Sequence, residues 1–270
     1  MFKSFKPLNP QDHSQLTLME TTDYSFAADH MFVPIVLSEI ADIAREYPLV
    51  FITDQTMPVA LTGIEQNVNA YVADDGTWRA QYIPGSIKAY PFALGKKPDK
   101  PGEYTIAFDP EAAQLASSSG SPLFGSQGNT MGVLQQRIDL LTKLKKAEGV
   151  TQKMVQSLRE TDLLTERTLR IRRPNDEDSQ ISGIQVIDEK KFNGLPGEEF
   201  LRLRDAGLLP LIYSHLLSMA NLREGVIAGK YPDLAAKPKQ KEPVPTKQDT
   251  EVDLNRFFAD DGDFDLDFDA

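Results

Sequence analysis

Residues 32–52 read FVPIVLSEIADIAREYPLVFI, and this stretch decides the fold. Pro34 suits the first turn of a helix, where its missing N–H costs no hydrogen bond, and Pro48 cannot continue that helix. Between the two prolines the apolar residues recur at helical spacing, which leaves the charged residues on the other face. Residues 49–52 are apolar without alternation, as is typical of a strand covered on both faces. We therefore expect a buried helix that leads into a buried strand.

The composition restricts the class of protein. The chain has 270 residues, 40% of them hydrophobic, which is enough for one large domain or two modest ones. A formal net charge of −11 disfavours nucleic acid or an anionic membrane as the main partner. The absence of cysteine excludes disulfides, thiolate metal sites and cysteine nucleophiles. We find no signal-peptide pattern and no run near the ~20 apolar residues of a membrane span, so we expect a cytoplasmic protein, with non-classical export left open.

Strand and turn signals predict a mainly antiparallel sheet in residues 1–110. Residues 49–52 and 59–64 are separated by the turn-forming sequence DQTMP, which favours a hairpin. Gly76 tolerates a positive φ and indicates a second hairpin around it. The other elements expected here are an edge strand at 16–19, strands at 70–72 and 78–82, a packed segment at 82–94 and a strand at 103–108.

The following residues combine helices with one further hairpin. Thr130 and Thr151 are N-cap candidates for two helices, the first of them closed by Gly149, so we expect a helical hairpin. The chain is thus predicted to be α+β, with a mainly antiparallel sheet packed by several helices. The other elements expected are paired strands at 166–173 and 181–188 around an acidic turn, and helices at 197–206 and 208–222.

The composition changes after Tyr231, where prolines interleave with lysines in a stretch too polar to bury itself. Residues 258–270 then carry six aspartates and no basic residue, in alternation with aromatic side chains. We therefore predict an α+β domain at 1–228 and a disordered linker and acidic tail at 229–270. A C-terminal export signal and a merely solubilising tail are the alternatives to protein docking. The residues predicted to bind a protein partner are Phe257, Phe258, Phe264, Leu266 and Phe268.

Short motifs occur in a fixed order along the chain. They are FVP at 32–34, YPLVF at 47–51, YIP at 82–84, YPF at 90–92, PLF at 122–124, IDE at 187–189, LP at 195–196 and GLLPLIYSHL at 207–216. This ordered set resembles the SapC family of bacterial proteins over residues 20–225. The resemblance implies an association with bacterial surface-layer biogenesis and export, and kinship with proteins encoded near TonB-dependent receptors and flavin-dependent halogenase-like enzymes in Gram-negative bacteria. It supplies no catalytic motif.

The chain has three histidines, at positions 13, 30 and 215, so any imidazole chemistry must use one of them. His30 follows Asp29, and a carboxylate beside an imidazole can form a base or half of a metal site. No second histidine stands at metal-ligand spacing, which favours an ordinary loop histidine. His215 follows Tyr213 on an apolar helix and is either a hydrogen-bonded core residue or a pocket residue.

Other side chains give weaker candidates. Trp78, Tyr82, Tyr90 and Phe92 either line a pocket or pack in a mixed core. The basic strand residues near position 170 either bind an anion or form a solvated edge neutralised by the acidic turn that follows. No phosphate loop, nucleophile elbow or metalloprotease helix occurs in the sequence, so no motif implies a cofactor or a metal. The pocket candidates are His30, Asp29, His215, Tyr213, Trp78 and Tyr90, and the basic residues are Arg167, Arg170 and Arg172.

Two functions fit these observations. The first is a non-enzymatic accessory or binding protein of a bacterial cell-envelope, surface-layer, export or modification system, which docks a protein through its tail. The second is an enzyme or enzyme subunit with a small-molecule or metal pocket near His30 or His215. The sequence assigns neither an oligomeric state nor a ligand.

Overall fold

The structure is a computed structural model that describes residues 2–97, 100, 102–116, 119–171 and 179–231. The predicted tail and the acidic turn after residue 173 lie largely outside these ranges. The strands are β1 Lys6–Pro7, β2 Thr17–Leu18, β3 Phe32–Pro34, β4 Leu49–Ile52, β5 Pro58–Leu61, β6 Phe92–Lys96, β7 Tyr104–Phe108, β8 Leu115–Ala116, β9 Ser121–Pro122, β10 Leu164–Ile171 and β11 Ser179–Ile187. The helices are α1 Pro10–His13, α2 Ile40–Glu46, α3 Gly85–Ala89, α4 Gly132–Arg159, α5 Glu189–Asn193, α6 Gly197–Asp205, α7 Leu209–Ser218, α8 Asn221–Glu224 and α9 Val226–Lys230.

The strands form one large and two small sheets, and every strand pair is antiparallel. The large sheet has the order β10-β11-β4-β5-β3, and the small sheets have the orders β1-β7-β6 and β8-β2-β9. This architecture confirms the α+β prediction. Two predicted hairpins are present, β4 with β5 and β10 with β11. The strand expected at an edge near residue 17 is instead the middle strand of its sheet.

The predicted helix of residues 32–52 begins later than its sequence suggested. Phe32–Pro34 is strand β3, and a single 3₁₀ turn at Leu37–Glu39 precedes α2. Pro34 is tolerated because β3 lies at the edge of the large sheet, where a missing N–H costs no ladder bond. The buried strand expected after the helix is confirmed as β4, in which Phe51 is fully buried.

The predicted helical hairpin is one helix, α4, of 28 residues. Gly149 lies in its exposed part with no atom near the position of a Cβ, so it interrupts neither packing nor hydrogen bonding. Thr151 is not an N-cap, because its hydroxyl donates to the Ala147 carbonyl, as an i−4 contact within the helix does. The same hydroxyl oxygen accepts the N–H of Leu37 at 3.0 Å, which fixes α4 against the turn before α2.

Two further elements are shorter than predicted. The hairpin expected around Gly76 is reduced to a turn with one antiparallel bridge between Val72 and Trp78. The apolar helix expected at 208–222 ends at Ser218, and α8 follows as a separate turn.

Polar side chains of α7 attach this helix to the large sheet. His215 is fully buried, and the N–H of Ile187 donates to its Nε2 at 3.0 Å. The proton must then reside on Nδ1, which donates to the Leu49 carbonyl at 2.7 Å. Ser218 accepts the N–H of Leu49 at 2.9 Å. The helix thus completes the hydrogen bonds of Leu49 in β4 and of Ile187 in β11.

Burial lowers the pKa of His215 to about 4, so protonation of this residue must destabilise the fold. As the pH falls, the unfolded chain takes up this proton first, near pH 6.5. We expect the free energy of unfolding, measured by urea denaturation, to lose up to about 3 kcal/mol between about pH 6.5 and 4.

A neutral variant, His215→Gln, should be less stable at neutral pH but should lose less stability over that pH interval. Tyr213→Phe on the same helix is the matched control, and it should keep the wild-type slope. Parallel pH profiles for the wild type and His215→Gln would contradict this assignment.

Candidate functional site

Two adjoining cavities form a cleft between the N-terminal loops, α3 and α4. The larger one, of about 640 Å³, is the acidic chamber, whose charged wall is formed by Lys3, Glu20, Asp23, Asp29 and Glu111. The smaller one, of about 220 Å³, is the basic chamber, whose wall includes Tyr24, Ile87, Lys88, Gln114 and Arg137. The residues that line both chambers are Met19, Thr21, Phe26, Tyr90 and Gln114.

An aromatic pair stands at the junction of the two chambers. The rings of Phe26 and Tyr90 are stacked, with centroids 4.1 Å apart and planes inclined by 17°. Phe26 belongs to the 3₁₀ turn Ser25–Ala27, and Tyr90 directly follows α3. Both rings line both chambers, so they present apolar surface where the chambers meet, suited to the body of an apolar or aromatic ligand.

A buried carboxylate holds Tyr90 in place. Asp109 is fully buried and accepts the N–H groups of Lys3 and Glu111, at 2.8 and 3.1 Å. The Tyr90 hydroxyl donates to the same carboxylate at 3.3 Å. Burial, together with the negative charge of Asp109, raises the pKa of Tyr90 to about 12, so the hydroxyl keeps its proton at neutral pH. The Tyr90 ring is therefore a fixed wall of the cleft.

The basic chamber carries two cations and is lined by no acidic residue in the described part of the chain. Lys88 lies on α3, with its ammonium 4.5 Å from the ring centre of Tyr82. Arg137 lies on α4, and its Nε is buried without a hydrogen-bond partner among the described residues. Gln114 is 8% exposed, and its buried Oε1 also has no hydrogen-bond partner among the described residues. Buried polar atoms normally have partners, so these two atoms mark a surface that is incomplete by itself.

The acidic chamber has ionised carboxylates at neutral pH. Hydrogen bonds from Ser25 lower the pKa of Asp23. Partial burial acts to raise the pKa of Asp29, but the hydrogen bond and charge of His30 outweigh it and lower the pKa overall. Lys3 lies 3.9 Å from Glu111 and offsets one of the negative charges. The two chambers therefore present opposite charge on either side of the aromatic pair.

A second buried carboxylate, Glu39, positions α3 and with it Lys88. Its Oε1 accepts the N–H of Gly85 at 2.7 Å and the Tyr82 hydroxyl at 2.9 Å. Its Oε2 accepts the N–H of Val36 at 3.1 Å. A Cβ atom at position 85 would lie 3.1 Å from Glu39 Oε1, so glycine permits the close approach of this carboxylate to the main chain of α3. The first turn of α3 is therefore fixed to the turn that precedes α2.

The structure brings only some of the predicted pocket residues together. Asp29 and Tyr90 line the acidic chamber. His30 lies beside the chamber, with its Nδ1 2.5 Å from Asp29 Oδ1. Trp78 lines neither chamber. It packs against Tyr24, which lines the basic chamber, with ring centres 5.6 Å apart.

The other candidates lie elsewhere or outside the described residues. His215 is in the core, where main-chain groups occupy both ring nitrogens. Tyr213 is 46% exposed on α7, with its ring edge against Phe192. Arg167 is exposed on β10. The side chains that the structure does not describe are Arg170, Arg172, Phe257, Phe258, Phe264, Leu266 and Phe268.

Neither a metal centre nor a membrane helix occurs in the described ranges. No group of three or more His, Cys, Asp or Glu residues within them lies close enough to hold a metal ion. No helix in those ranges is both long and apolar enough to cross a membrane.

The sequence alone did not indicate the two cations of the basic chamber as site residues, although the position of Arg137 gives a signal. Arg137 stands three residues after Leu134 and four before Leu141, both of which are buried. A charged residue on the apolar stripe of a helix points toward the interior. Lys88 left no such signal, because α3 has only five residues.

We predict that Glu39→Gln lowers the free energy of unfolding by about 1–3 kcal/mol, because one amide oxygen cannot replace two carboxylate oxygens that accept three hydrogen bonds. Urea denaturation measures the change. Asp42→Asn, a half-exposed carboxylate nearby on α2, is the matched control and should stay within about 0.5 kcal/mol of the wild type. A Glu39→Gln protein as stable as the control would show that these hydrogen bonds contribute little.

Comparison with known proteins gives one result. No curated protein and no solved structure matched the chain. The family model described as SapC matches residues 8–224, which is well over half of the chain. This match includes the motifs at 32–34 and 207–216 that carry the resemblance. The chain therefore belongs to the SapC family.

Proposed function

We propose that this chain is a non-enzymatic accessory or binding protein of a bacterial cell-envelope, surface-layer, export or modification system. Its α+β domain is the folded platform, and its acidic C-terminal segment docks a protein partner. Membership of the SapC family supports the biological setting. A cytoplasmic location, with non-classical export as the variant, belongs to the same proposal.

One observation favours binding over chemistry: the buried ionisable groups near the cleft and in the core are held by main-chain partners. Asp109 and Glu39 each accept two main-chain N–H groups in addition to a tyrosine hydroxyl. His215 is bonded to the main chain through both ring nitrogens. A general acid or base needs a free position toward its substrate. These three groups therefore have structural roles.

The composition of residues 258–270 supports a docking segment. Six aspartates keep the segment solvated, and the aromatic residues between them supply apolar anchors that a merely solubilising tail does not need. A matching partner would carry a basic surface with apolar pockets, since charge complementarity accelerates association and pockets give affinity. The five anchors are those predicted from the sequence.

Deletion of residues 236–270 should abolish capture of the partner and leave the melting temperature of the domain nearly unchanged. The partner is first recovered by pull-down from the native cell with the full chain and is then purified. Its rebinding to the full and truncated chains is measured by titration.

A second variant distinguishes the contribution of the apolar anchors to binding from that of the negative charge. It replaces the five apolar anchors by serine and retains every aspartate, so it should lose binding as the deletion does. Undiminished capture by the truncated chain would refute docking through the tail. Full binding by the serine variant would reduce the tail to a charged, solubilising segment.

The alternative function, an enzyme, keeps one specific observation in its favour. The short contact between Asp29 and His30 at the acidic chamber resembles a general base oriented by a carboxylate. Metal analysis of the purified chain discriminates between the proposals. The binding-protein proposal predicts substoichiometric metal in the wild type and in His30→Gln alike. Stoichiometric iron, zinc or manganese that is lost on His30→Gln would favour the enzyme instead.

A further inference from the structure

We propose that the cleft binds a small zwitterion of the amino-acid class, with its carboxylate at Lys88 and Arg137 and its ammonium toward the acidic chamber. The apolar part of the ligand packs on the ring pair of Phe26 and Tyr90. The lining residues of both chambers lie between positions 2 and 137, so this proposal is tested separately from docking through the tail.

The basic chamber supplies the carboxylate position. Neither Lys88 nor Arg137 has an ion-pair partner in the described part of the chain, although acidic residues outnumber basic ones by 40 to 29 in the whole sequence. A guanidinium offers paired donors in a planar fork that matches a carboxylate. The buried Nε of Arg137 is one such donor. A bound carboxylate would give this atom the hydrogen bond that it has with no described residue.

Gln114 lines both chambers and supplies a further polar contact. Its buried terminal oxygen has no hydrogen-bond partner in the described residues. That oxygen can accept from an ammonium group, and a rotated side chain presents the amide N–H to a carboxylate instead. In either orientation, Gln114 contacts the polar end of a ligand that spans the junction of the chambers.

The acidic chamber argues against a simple anion as the ligand. Glu20, Asp23 and Asp29 belong to the chamber that adjoins the basic one, and they repel a molecule that is negative throughout. A ligand with a carboxylate at one end and an ammonium at the other matches the charge of both chambers. The 640 Å³ of the acidic chamber is within the range of about 300–1,000 Å³ found for small-molecule sites.

The ring pair determines the rest of the ligand. Tyr90 is only 7% exposed and is fixed by Asp109, so its ring is a rigid surface rather than a mobile cover. Tyr24 and Ile87 add apolar walls to the basic chamber. Rigid aromatic walls favour an amino acid with an aromatic or branched apolar side chain over a small polar one.

Three probes that differ by one charged group test the proposal on the full chain. They are L-phenylalanine, 3-phenylpropionate, which lacks the ammonium, and 2-phenylethylamine, which lacks the carboxylate; L-leucine serves as an aliphatic zwitterion. By isothermal titration we expect saturable binding of at least one zwitterion, tighter than about 1 mM. Each of the two singly charged probes should bind at least tenfold more weakly than L-phenylalanine, or more weakly than L-leucine if only L-leucine binds.

Arg137→Gln should weaken binding of the zwitterion at least tenfold, whereas Lys146→Gln should leave it unchanged. Lys146 is an exposed lysine on the same helix, so the control removes the same charge outside the cleft. Lys88→Gln is the second cleft variant, used if Arg137→Gln melts below the wild type. Three results would overturn the proposal: no saturable binding of either zwitterion tighter than about 1 mM, binding of either singly charged probe as tight as that of the zwitterion, or an equal effect of the cleft and control variants.

Discussion

The arrangement of this domain depends on the hydrogen bonds that the buried carboxylate of Glu39 accepts. The donors are the N–H of Val36 before α2, the hydroxyl of Tyr82 and the N–H of Gly85 in the first turn of α3. A carboxylate removed from water is tolerated only when its oxygens are satisfied in this way. The next main-chain N–H, that of Leu37, donates to the hydroxyl oxygen of Thr151 on α4. This hydrogen bond attaches α4 to the same turn. The helices that carry Lys88 and Arg137 are therefore both oriented from residues 36–39.

Four of the five strands of the large sheet could be predicted, because burial and turn chemistry are local properties of the sequence, whereas β3 was expected to begin a helix. Residues 49–52 are apolar throughout and form β4, and the turn after them gives the hairpin with β5. The helices were harder, because caps and glycines carry weak energies. Gly149 costs a helix about 1 kcal/mol relative to alanine, an amount that packing of a 28-residue helix easily exceeds. Thr151 has the same side chain as a cap but uses it within the helix.

The candidate site was predictable only in part, because its walls come from distant parts of the chain. The sequence identified Asp29 and Tyr90 as polar and aromatic candidates, but it did not indicate that both face one cleft. Arg137 and Phe26 are separated by more than 100 residues, and no periodicity relates them. For His215 the sequence left open a hydrogen-bonded core residue and a pocket residue. This residue drew attention as a reactive residue type, whereas the sheet uses its two nitrogens as a donor and an acceptor.

The contacts of α7 also determine what changes this part of the chain can accommodate. An apolar helix face can rotate or shift along a sheet at small cost, since dispersion contacts have little direction. Hydrogen bonds between the side chains of His215 and Ser218 and the main-chain groups of Leu49 and Ile187 are directional, and they leave α7 a single rotational setting. One residue inserted between positions 209 and 214 would turn His215 by about 100° around the helix axis. Length variation in this family should therefore accumulate in the loops that flank α7, and the helix itself should keep a constant number of residues.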